Sequence, residues 1–236
     1  MPRSVTTVNI AVADAILGQV STTTYHHGNL RASLVDAAVE LAREQGPDGV
    51  ALREVARRVG VSHNAAYRHF ADREALVAEV GEVGLAGLVG AMQVRLAEVH
   101  DDDPVRAARL RLAALGRGYV DFGVAEPGLF RLVFTAYPEL PESDPAASPD
   151  IAAPDPFAML GAALDELVVV GYLPPERRPG AEVMCWSSVH GFAVLHAEGP
   201  LRGSDPDQRE AALDHVLATI DRSYGAPDAS PLFPTP

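Results

Sequence analysis

The chain has 236 residues, a single cysteine and a formal net charge of −13 from 19 basic and 32 acidic residues. This length allows one or two domains with a sizeable core. The single cysteine excludes an internal disulfide framework and a cysteine-rich zinc site. The acidic balance argues against a protein that coats nucleic acid along its whole surface, although one locally neutral patch could still dock on DNA.

The first 24 residues are predicted to be a flexible arm. The weakly apolar stretch over residues 10–20 contains Asp14 and is preceded by one positive side chain, Arg3. It is too weak and too short for a secretion signal. Since no uninterrupted apolar run approaches about 18 residues, we expect no membrane-spanning helix and no membrane partner. A cytoplasmic location is therefore predicted.

Apolar residues at three- and four-residue spacing predict helices from residue 30 onward. Asn29, Ser62 and Asp72 are candidate N-caps, and Gly46 and Gly60 are candidate stops. The first four predicted helices cover residues 30–46, 52–59, 62–70 and 72–99.

The remaining chain also has a helical pattern. Residues 138–156 contain six prolines and five acidic residues, which predicts a mobile loop. No segment shows convincing strand alternation, so the predicted fold is all-α. The later predicted helices cover residues 104–125, 127–135, 157–171, 176–197 and 206–223.

Residues 52–70 are typical of a helix-turn-helix. Ala56 is small enough for the two helices to approach closely, and Gly60 permits the backbone angles of the turn. At about 100° per residue, one arc of the second helix is polar and suited to the major groove. The alternative is a helical hairpin whose polar face is merely solvated. The arc consists of His63, Asn64, Tyr67 and Arg68.

Several motifs in this order resemble the DNA-binding domain of the TetR family of transcriptional repressors, with the resemblance covering residues 25–80. A further motif, Trp186–Gly191, resembles the Trp-His-Gly signature of the WHG C-terminal domain found in that family. The N-terminal motifs are Tyr25–Leu30, Glu44–Gly46, Leu52–Ala56, Val59–Ser62, Tyr67–Phe70 and Asp72–Leu76.

The resemblance implies an architecture and a function. A three-helix DNA-binding head would occupy residues 25–72, and a larger helical ligand-binding and dimerisation domain residues 73–226. Residues 1–24 and 227–236 would be a flexible arm and a flexible tail. The protein would bind double-stranded, palindromic operator DNA as a homodimer and be released from it by a small-molecule effector.

The resemblance also implies DNA-contacting residues. Tyr67 and His69 would contact the DNA backbone, while Arg53 and Arg73 are phosphate candidates. Asn suits adenine, Arg suits guanine and Ala can meet a thymine methyl group. Ala51 departs from the family because a Thr or Ser cap is usual there. Ser62 caps the second helix, whose base-edge candidates are His63, Asn64, Ala65 and Arg68.

The charge distribution supports this division. Residues 25–80 contain seven Arg and eight acidic residues, a net of −1, while the rest contains twelve Arg and 24 acidic residues, a net of −12. The family dimerises through its last two long helices, here about 176–197 and 206–223. Four apolar residues of the last helix could form that contact surface or an intramolecular core, and the pattern favours neither. They are Leu213, Val216, Leu217 and Ile220.

The predicted effector is largely apolar, because binding pockets are mostly apolar with a few polar groups. For Trp186 and His190 the alternative is a purely structural role. His190 and His196 are six residues apart on a helix and cannot easily bind one metal ion, so neither a metal nor another cofactor is expected. The candidate effector contacts are Phe122, Phe130, Phe134, Trp186 and His190.

Catalysis is not expected. The sequence has no Gly-rich phosphate loop of Walker or Rossmann type and no Gly-x-Ser-x-Gly motif. A helical adaptor that has lost DNA binding is the other alternative, and the intact polar arc argues against it. Glycines recur every third residue over 81–90 of the long helix, which indicates either close packing or a soft connector.

Overall fold

A computed structural model describes residues 30–136, 155–225 and 232–233. Over these residues the regular structure is entirely helical, which confirms the all-α prediction. The helices are α1 Leu30–Gln45, α2 Leu52–Val59, α3 His63–Tyr67, α4 Arg73–Ala97, α5 Pro104–Ala125, α6 Pro127–Ala136, α7 Pro156–Val169, α8 Ala181–Ala197 and α9 Pro206–Tyr224. Single 3-10 turns occupy Pro47–Gly49 and Pro175–Arg177.

Two of these boundaries differ from the predicted ones by three or more residues. Helix α3 ends at Tyr67 rather than at residue 70. Helix α8 begins at Ala181 rather than at 176, because Gly180 adopts a left-handed conformation with φ of 76° directly after Pro179. The Asn29 cap and almost all of the proline-rich loop, residues 137–154, lie outside the described residues.

The chain forms two compact units. The first comprises residues 1–87 and 125–140, and its described part contains α1 to α3, the first part of α4, and α6. Its core is built from the apolar stripe of α1 and from residues of α2 and α4, including Leu34, Leu41, Val55 and Leu76, which are almost completely buried. The predicted boundary after residue 72 divides the chain by function and stays a prediction.

The second unit comprises residues 88–124 and 141–236, and its described part contains α5, α7, α8, α9 and the end of α4. Besides leucine and alanine side chains, its core contains an ion pair. Arg109 on α5 donates from Nε and Nη2 to the two carboxylate oxygens of Asp221 on α9, at 2.9 and 2.7 Å. The guanidinium also stacks over the ring of Tyr172, 4.6 Å from its centroid.

Helix α4 is the one described helix that is long and apolar enough to cross a membrane by length and composition. Half of its most apolar 18-residue window is buried inside the fold, and a single helix of this kind is weak evidence for a membrane span. Its first turn begins with the Asp72 cap, whose Oδ1 accepts a hydrogen bond from the Ala75 amide at 2.8 Å.

Candidate nucleic-acid interface

The turn between α2 and α3 is closed by backbone bonds. Gly60 adopts φ of 78° and ψ of 28°, and the Val61 amide donates to the Ala56 carbonyl at 2.9 Å. A Cβ atom on Gly60 would meet nothing within 4 Å, so the backbone angle alone favours glycine here. Because Ala56 and Ala66 are buried, the two short helices pack closely at the turn.

The N-cap of α3 is the predicted one. The Ser62 hydroxyl accepts a hydrogen bond from the Ala65 amide at 3.2 Å. At the start of α2, by contrast, Ala51 makes no side-chain cap bond, because an alanine side chain has no hydrogen-bonding group. Such a cap typically contributes about 1 kcal/mol, so α3 is the better anchored of the two helices at its N-terminus.

Two residues of α3 and the two residues that follow it are exposed and polar, and together they are here called the exposed polar set. Tyr67 leaves 45% of its area in water, a high fraction for an aromatic side chain. Ala65, between them in the sequence, is half-buried. The exposed polar set consists of Asn64, Tyr67, Arg68 and His69.

His63 packs differently from its neighbours on α3. Its ring lies edge-on to Tyr67, with 4.4 Å between the ring centroids. The Nε2 atom of His63 is buried and has no hydrogen-bond partner among the described residues. A buried polar atom of this kind costs about 1–3 kcal/mol in the free protein.

Most arginines of the first unit have partners. Arg57 bonds Glu54 at 2.6 Å and Arg58 bonds Glu44 at 2.7 Å, and the hydrogen bond from Arg57 lowers the pKa of Glu54. Arg73 donates from Nε to the Val50 carbonyl at 2.8 Å and from Nη2 to the Pro47 carbonyl at 2.6 Å. This fixes the 47–50 loop to the start of α4.

Two arginines stand apart from this pattern. Within residues 30–80, which are all described, Arg53 and Arg68 are exposed and have no ion pair or hydrogen bond from their side chains. Arg53 is the second residue of α2, and Arg68 directly follows α3. The helix-turn-helix therefore presents two unpaired guanidinium groups as well as the exposed amide of Asn64.

Two sequence profiles match the chain. Residues 34–80 match the profile of bacterial regulatory proteins of the tetR family, and residues 112–220 match the tetracyclin repressor-like C-terminal domain. The chain belongs to the TetR family. It is a DNA-binding transcriptional regulator of helix-turn-helix type. The Trp186–Gly191 motif falls within the second matched range.

Solved structures share the fold of this chain. A solved protein of unknown function from Rhodococcus sp. RHA1 is 31% identical, with a TM-score of 0.60 over 86% of this chain and 100% of that one. TetR from Acinetobacter baumannii AYE is 20% identical, with a TM-score of 0.56 over 81% of this chain and 94% of that one, which shows the fold.

A curated relative matches over a shorter stretch. The uncharacterized HTH-type transcriptional regulator YobS of Bacillus subtilis (strain 168) is 29% identical over 103 residues, or 44% of this chain. The match covers 50% of YobS, so the chain spans about half the length of this relative.

In this TetR-family chain, α6 packs directly against α1 within the first unit. A Cβ on Gly128 would overlap the carbonyl oxygen of Ala42, so the two backbones touch where glycine stands. Arg43 Nε donates to Glu126 at 3.0 Å, just before α6 begins. Sequence reasoning missed this contact, because helical periodicity does not reveal which helices pair.

Gly84 on α4 also lies close to α6. A Cβ there would lie 2.8 Å from Val133 Cγ2 and 3.4 Å from the Leu129 carbonyl oxygen, both on α6. For this glycine the structure supports close packing over a soft connector.

Within the second unit, three side chains of this TetR-family chain form a hydrogen-bonded series through the Tyr119 hydroxyl. Trp186 Nε1 donates to Tyr119 Oη at 2.9 Å, and this oxygen lies 2.8 Å from His190 Nδ1. Burial raises the pKa of Tyr119 and lowers the pKa of His190, which favours the neutral form of both. Tyr119 was not among the predicted site residues, because its role depends on the packing of α5 against α8.

The other predicted effector contacts are distributed between the units. Phe122 is buried in the second unit. Phe130 and Phe134 belong to the first unit, where their rings pack edge to face with centroids 5.1 Å apart. The joint role of the five residues in binding an effector stays a prediction.

Three of the four apolar residues considered for a dimer contact are core residues. Leu213, Leu217 and Ile220 are buried within the single chain, while Val216 is half-buried. Exposed apolar side chains instead lie on α8, in two pairs eleven residues apart, which places them on one face. They are Val183, Met184, Val194 and Leu195.

Cys185 and His196 are satisfied inside the fold. Cys185 Sγ lies 3.3 Å from Tyr224 Oη, and burial raises the pKa of this thiol to about 11, which makes it inert. His196 Nδ1 lies 3.0 Å from the Phe192 carbonyl oxygen one turn earlier, and its ring stacks on Phe192. The Nδ1 atom of His196 is therefore already engaged by a carbonyl group of its own helix.

Proposed function

We propose that the protein is a ligand-responsive repressor that binds a palindromic operator as a homodimer and leaves it when a small, largely apolar effector binds. One observation carries the DNA-binding half of this proposal. The only side-chain guanidinium groups of residues 30–80 without a partner belong to Arg53 and Arg68, and both lie on the helix-turn-helix that also exposes Asn64. Positive charge is thus available where a major-groove reader needs it.

The charge of the chain makes a dimer necessary for useful affinity. At −13 overall, the protein has no general attraction to DNA, and one helix-turn-helix offers few phosphate contacts. A dimer doubles those contacts and reads two half-sites about one helical turn apart. The exposed apolar face of α8 supports a second copy of the chain as its partner, and a Cβ on Gly191 would meet nothing within 4 Å on that side.

The part of the proposal that concerns the effector rests on the chemistry of the second unit. A solved relative, a single-residue variant of TetR from Acinetobacter baumannii AYE, is in complex with minocycline. In our chain, Tyr119, Trp186 and His190 form an uncharged aromatic cluster, which suits an apolar ligand. Trp186 Nε1 and His190 Nδ1 both bond Tyr119 Oη, which favours a structural role for these two residues and leaves Phe122 as the candidate effector contact within the second unit.

Titration of operator DNA tests the proposal. We expect the protein to bind its own upstream DNA at low salt, as measured by fluorescence anisotropy, and the Arg53→Ala, Arg68→Ala double variant to bind at least ten-fold more weakly. Arg57→Ala is the matched control, because Arg57 is already paired with Glu54 on the same helix. Equal loss in both variants would contradict the proposal.

We also infer that the protein acts without catalysis and in the cytoplasm. Regulators of this family are generally not enzymes, and binding to operator DNA needs access to the chromosome. A screen of hydrolase and oxidoreductase substrates that found turnover by the wild-type protein would contradict this inference.

A further inference from the structure

The dipeptide Leu232–Phe233 packs onto the second unit. Only 3% of Leu232 is exposed, and the guanidinium carbon of Arg117 lies over the Phe233 ring, 5.7 Å from its centroid. A short segment outside the regular helices is usually poorly ordered unless a contact holds it in place. A leucine buried to this degree indicates such a contact.

The partner of Phe233 is positioned by other residues. Arg117 on α5 forms ion pairs with Glu210 and Asp214, one turn apart on α9, and only 16% of its side chain is exposed. The two carboxylates hold the guanidinium in place, and one of its faces is available to an aromatic ring. The position of the Arg117 guanidinium is therefore set by the two carboxylates and not by the dipeptide.

The contact can be made within one chain. Glu210 and Asp214 lie about 15–21 Å from the last residue of α9, Tyr224, at 1.5 Å per helical residue. Phe233 is the ninth residue after Tyr224, and nine residue steps allow an extended chain of about 30 Å.

We propose that α5 and α9 form a docking groove for a short apolar-aromatic segment, and that the protein's own Leu232 and Phe233 occupy it as a C-terminal clasp. The clasp holds α5 against α9 in addition to the ion pairs of Arg117. It lies beyond residue 220, where the match to the family profile ends. It acts on the helix that carries Tyr119, two residues after Arg117, so its release loosens the unit to which we assign effector binding.

Truncation tests the clasp. A variant lacking residues 231–236 should unfold about 3–6 °C below the full chain, because it loses one buried leucine and one ring contact. The matched control lacks only residues 235–236 and should unfold at the wild-type temperature. Equal unfolding temperatures in all three proteins would overturn the proposal.

A peptide binding experiment tests the groove directly. A labelled peptide of residues 228–236 should bind the truncated variant, as measured by fluorescence anisotropy, and restore part of the lost thermal stability. A peptide carrying Leu232→Ala and Phe233→Ala should not bind. Failure of the wild-type peptide to bind would overturn the groove. Since this assay uses no DNA and no effector, its outcome is separate from that of the proposed function.

The role of Arg117 has its own test. Arg117→Lys keeps a positive charge for Glu210 and Asp214 but loses the planar group that stacks on Phe233. In the truncated background, Arg117→Lys should bind the wild-type peptide about three-fold more weakly. Its affinity for a Phe233→Leu peptide should equal the affinity of the truncated protein that keeps Arg117. Identical affinities for the wild-type peptide would overturn the assignment of Arg117.

Discussion

At the level of single residues, DNA binding depends on which polar groups are not already engaged inside the protein. Arg57, Arg58 and Arg73 have partners in the fold, whereas Arg53 and Arg68 do not. Arg73 was expected to contact a phosphate, and that contact would have to come from its remaining N–H groups. The type of a residue could be predicted from the sequence, but its availability required the positions of its neighbours.

Arg68 and Tyr67 are expected to contribute differently to recognition. A guanidinium can pair with a guanine edge, while a phenol hydroxyl can only anchor a phosphate. Arg68→Ala should therefore cost about 1–3 kcal/mol at one base position of a randomised operator library, and Tyr67→Phe should weaken binding to all sequences alike. A uniform loss of affinity in Arg68→Ala would show that Arg68 reads no base.

His63 should show a trade-off between stability and DNA binding. Its buried, unpartnered Nε2 costs free energy in the free protein, so His63→Phe should raise the unfolding temperature by about 2–4 °C per kcal/mol recovered. The same variant should bind operator DNA more weakly, because it removes the nitrogen that we expect DNA to engage. Asn64→Ala, at an exposed position, should weaken binding without changing the unfolding temperature. A destabilised His63→Phe protein would contradict the expectation.

His190 should make stability depend on pH. Burial lowers its pKa in the folded protein below the ordinary value, so the unfolded chain takes up a proton more readily. The stability that neutral His190 contributes is fully present above about pH 6.5 and is lost as the pH falls below that value. Thermal unfolding between pH 5 and pH 8 should show a smaller decrease on acidification in His190→Gln than in wild type. Parallel curves would assign the pH dependence to other groups.

At the level of helices, local signals were predictable and pairings were not. The Ser62 and Asp72 caps and the Gly60 turn depend on residues within five positions of each other, and the structure confirms all three. The start of α8 was misjudged because Pro179 and Gly180 interrupt an otherwise helical pattern. Periodicity also could not distinguish a core face from a dimer face on α9.

The packing of α6 on α1 leads to a prediction for Gly128. A methyl group there meets the Ala42 carbonyl, so Gly128→Ala should shift α6, lower stability by about 1–3 kcal/mol and weaken operator binding. Gly161→Ala is the control, because its methyl group would lie at ordinary contact distance, 3.6 Å from Glu182 Oε1, and should be neutral or stabilising. Denaturant unfolding and DNA titration measure both. Equal stability of the two variants would show that α6 adapts freely.

At the level of the whole molecule, the described chain leaves an apolar surface uncovered on α8. We expect Leu195→Glu to produce a monomer in analytical ultracentrifugation, because it places a charge within the exposed apolar surface of α8 that a second copy would bury. Operator affinity should fall with it. Val169→Glu, at an even more exposed position on α7, should remain a dimer. A dimeric Leu195→Glu protein would place the contact on another surface.

The enclosure of Cys185 makes the chain convenient for spectroscopy. As the only thiol, hydrogen-bonded to Tyr224 and with its pKa raised to about 11, it should react with maleimide reagents only when the second unit opens. Its labelling rate then reports how often that unit opens. New cysteines placed on the surface can be labelled selectively without removing the native one, so paired dyes can follow the distance between the two DNA-reading helices of a dimer.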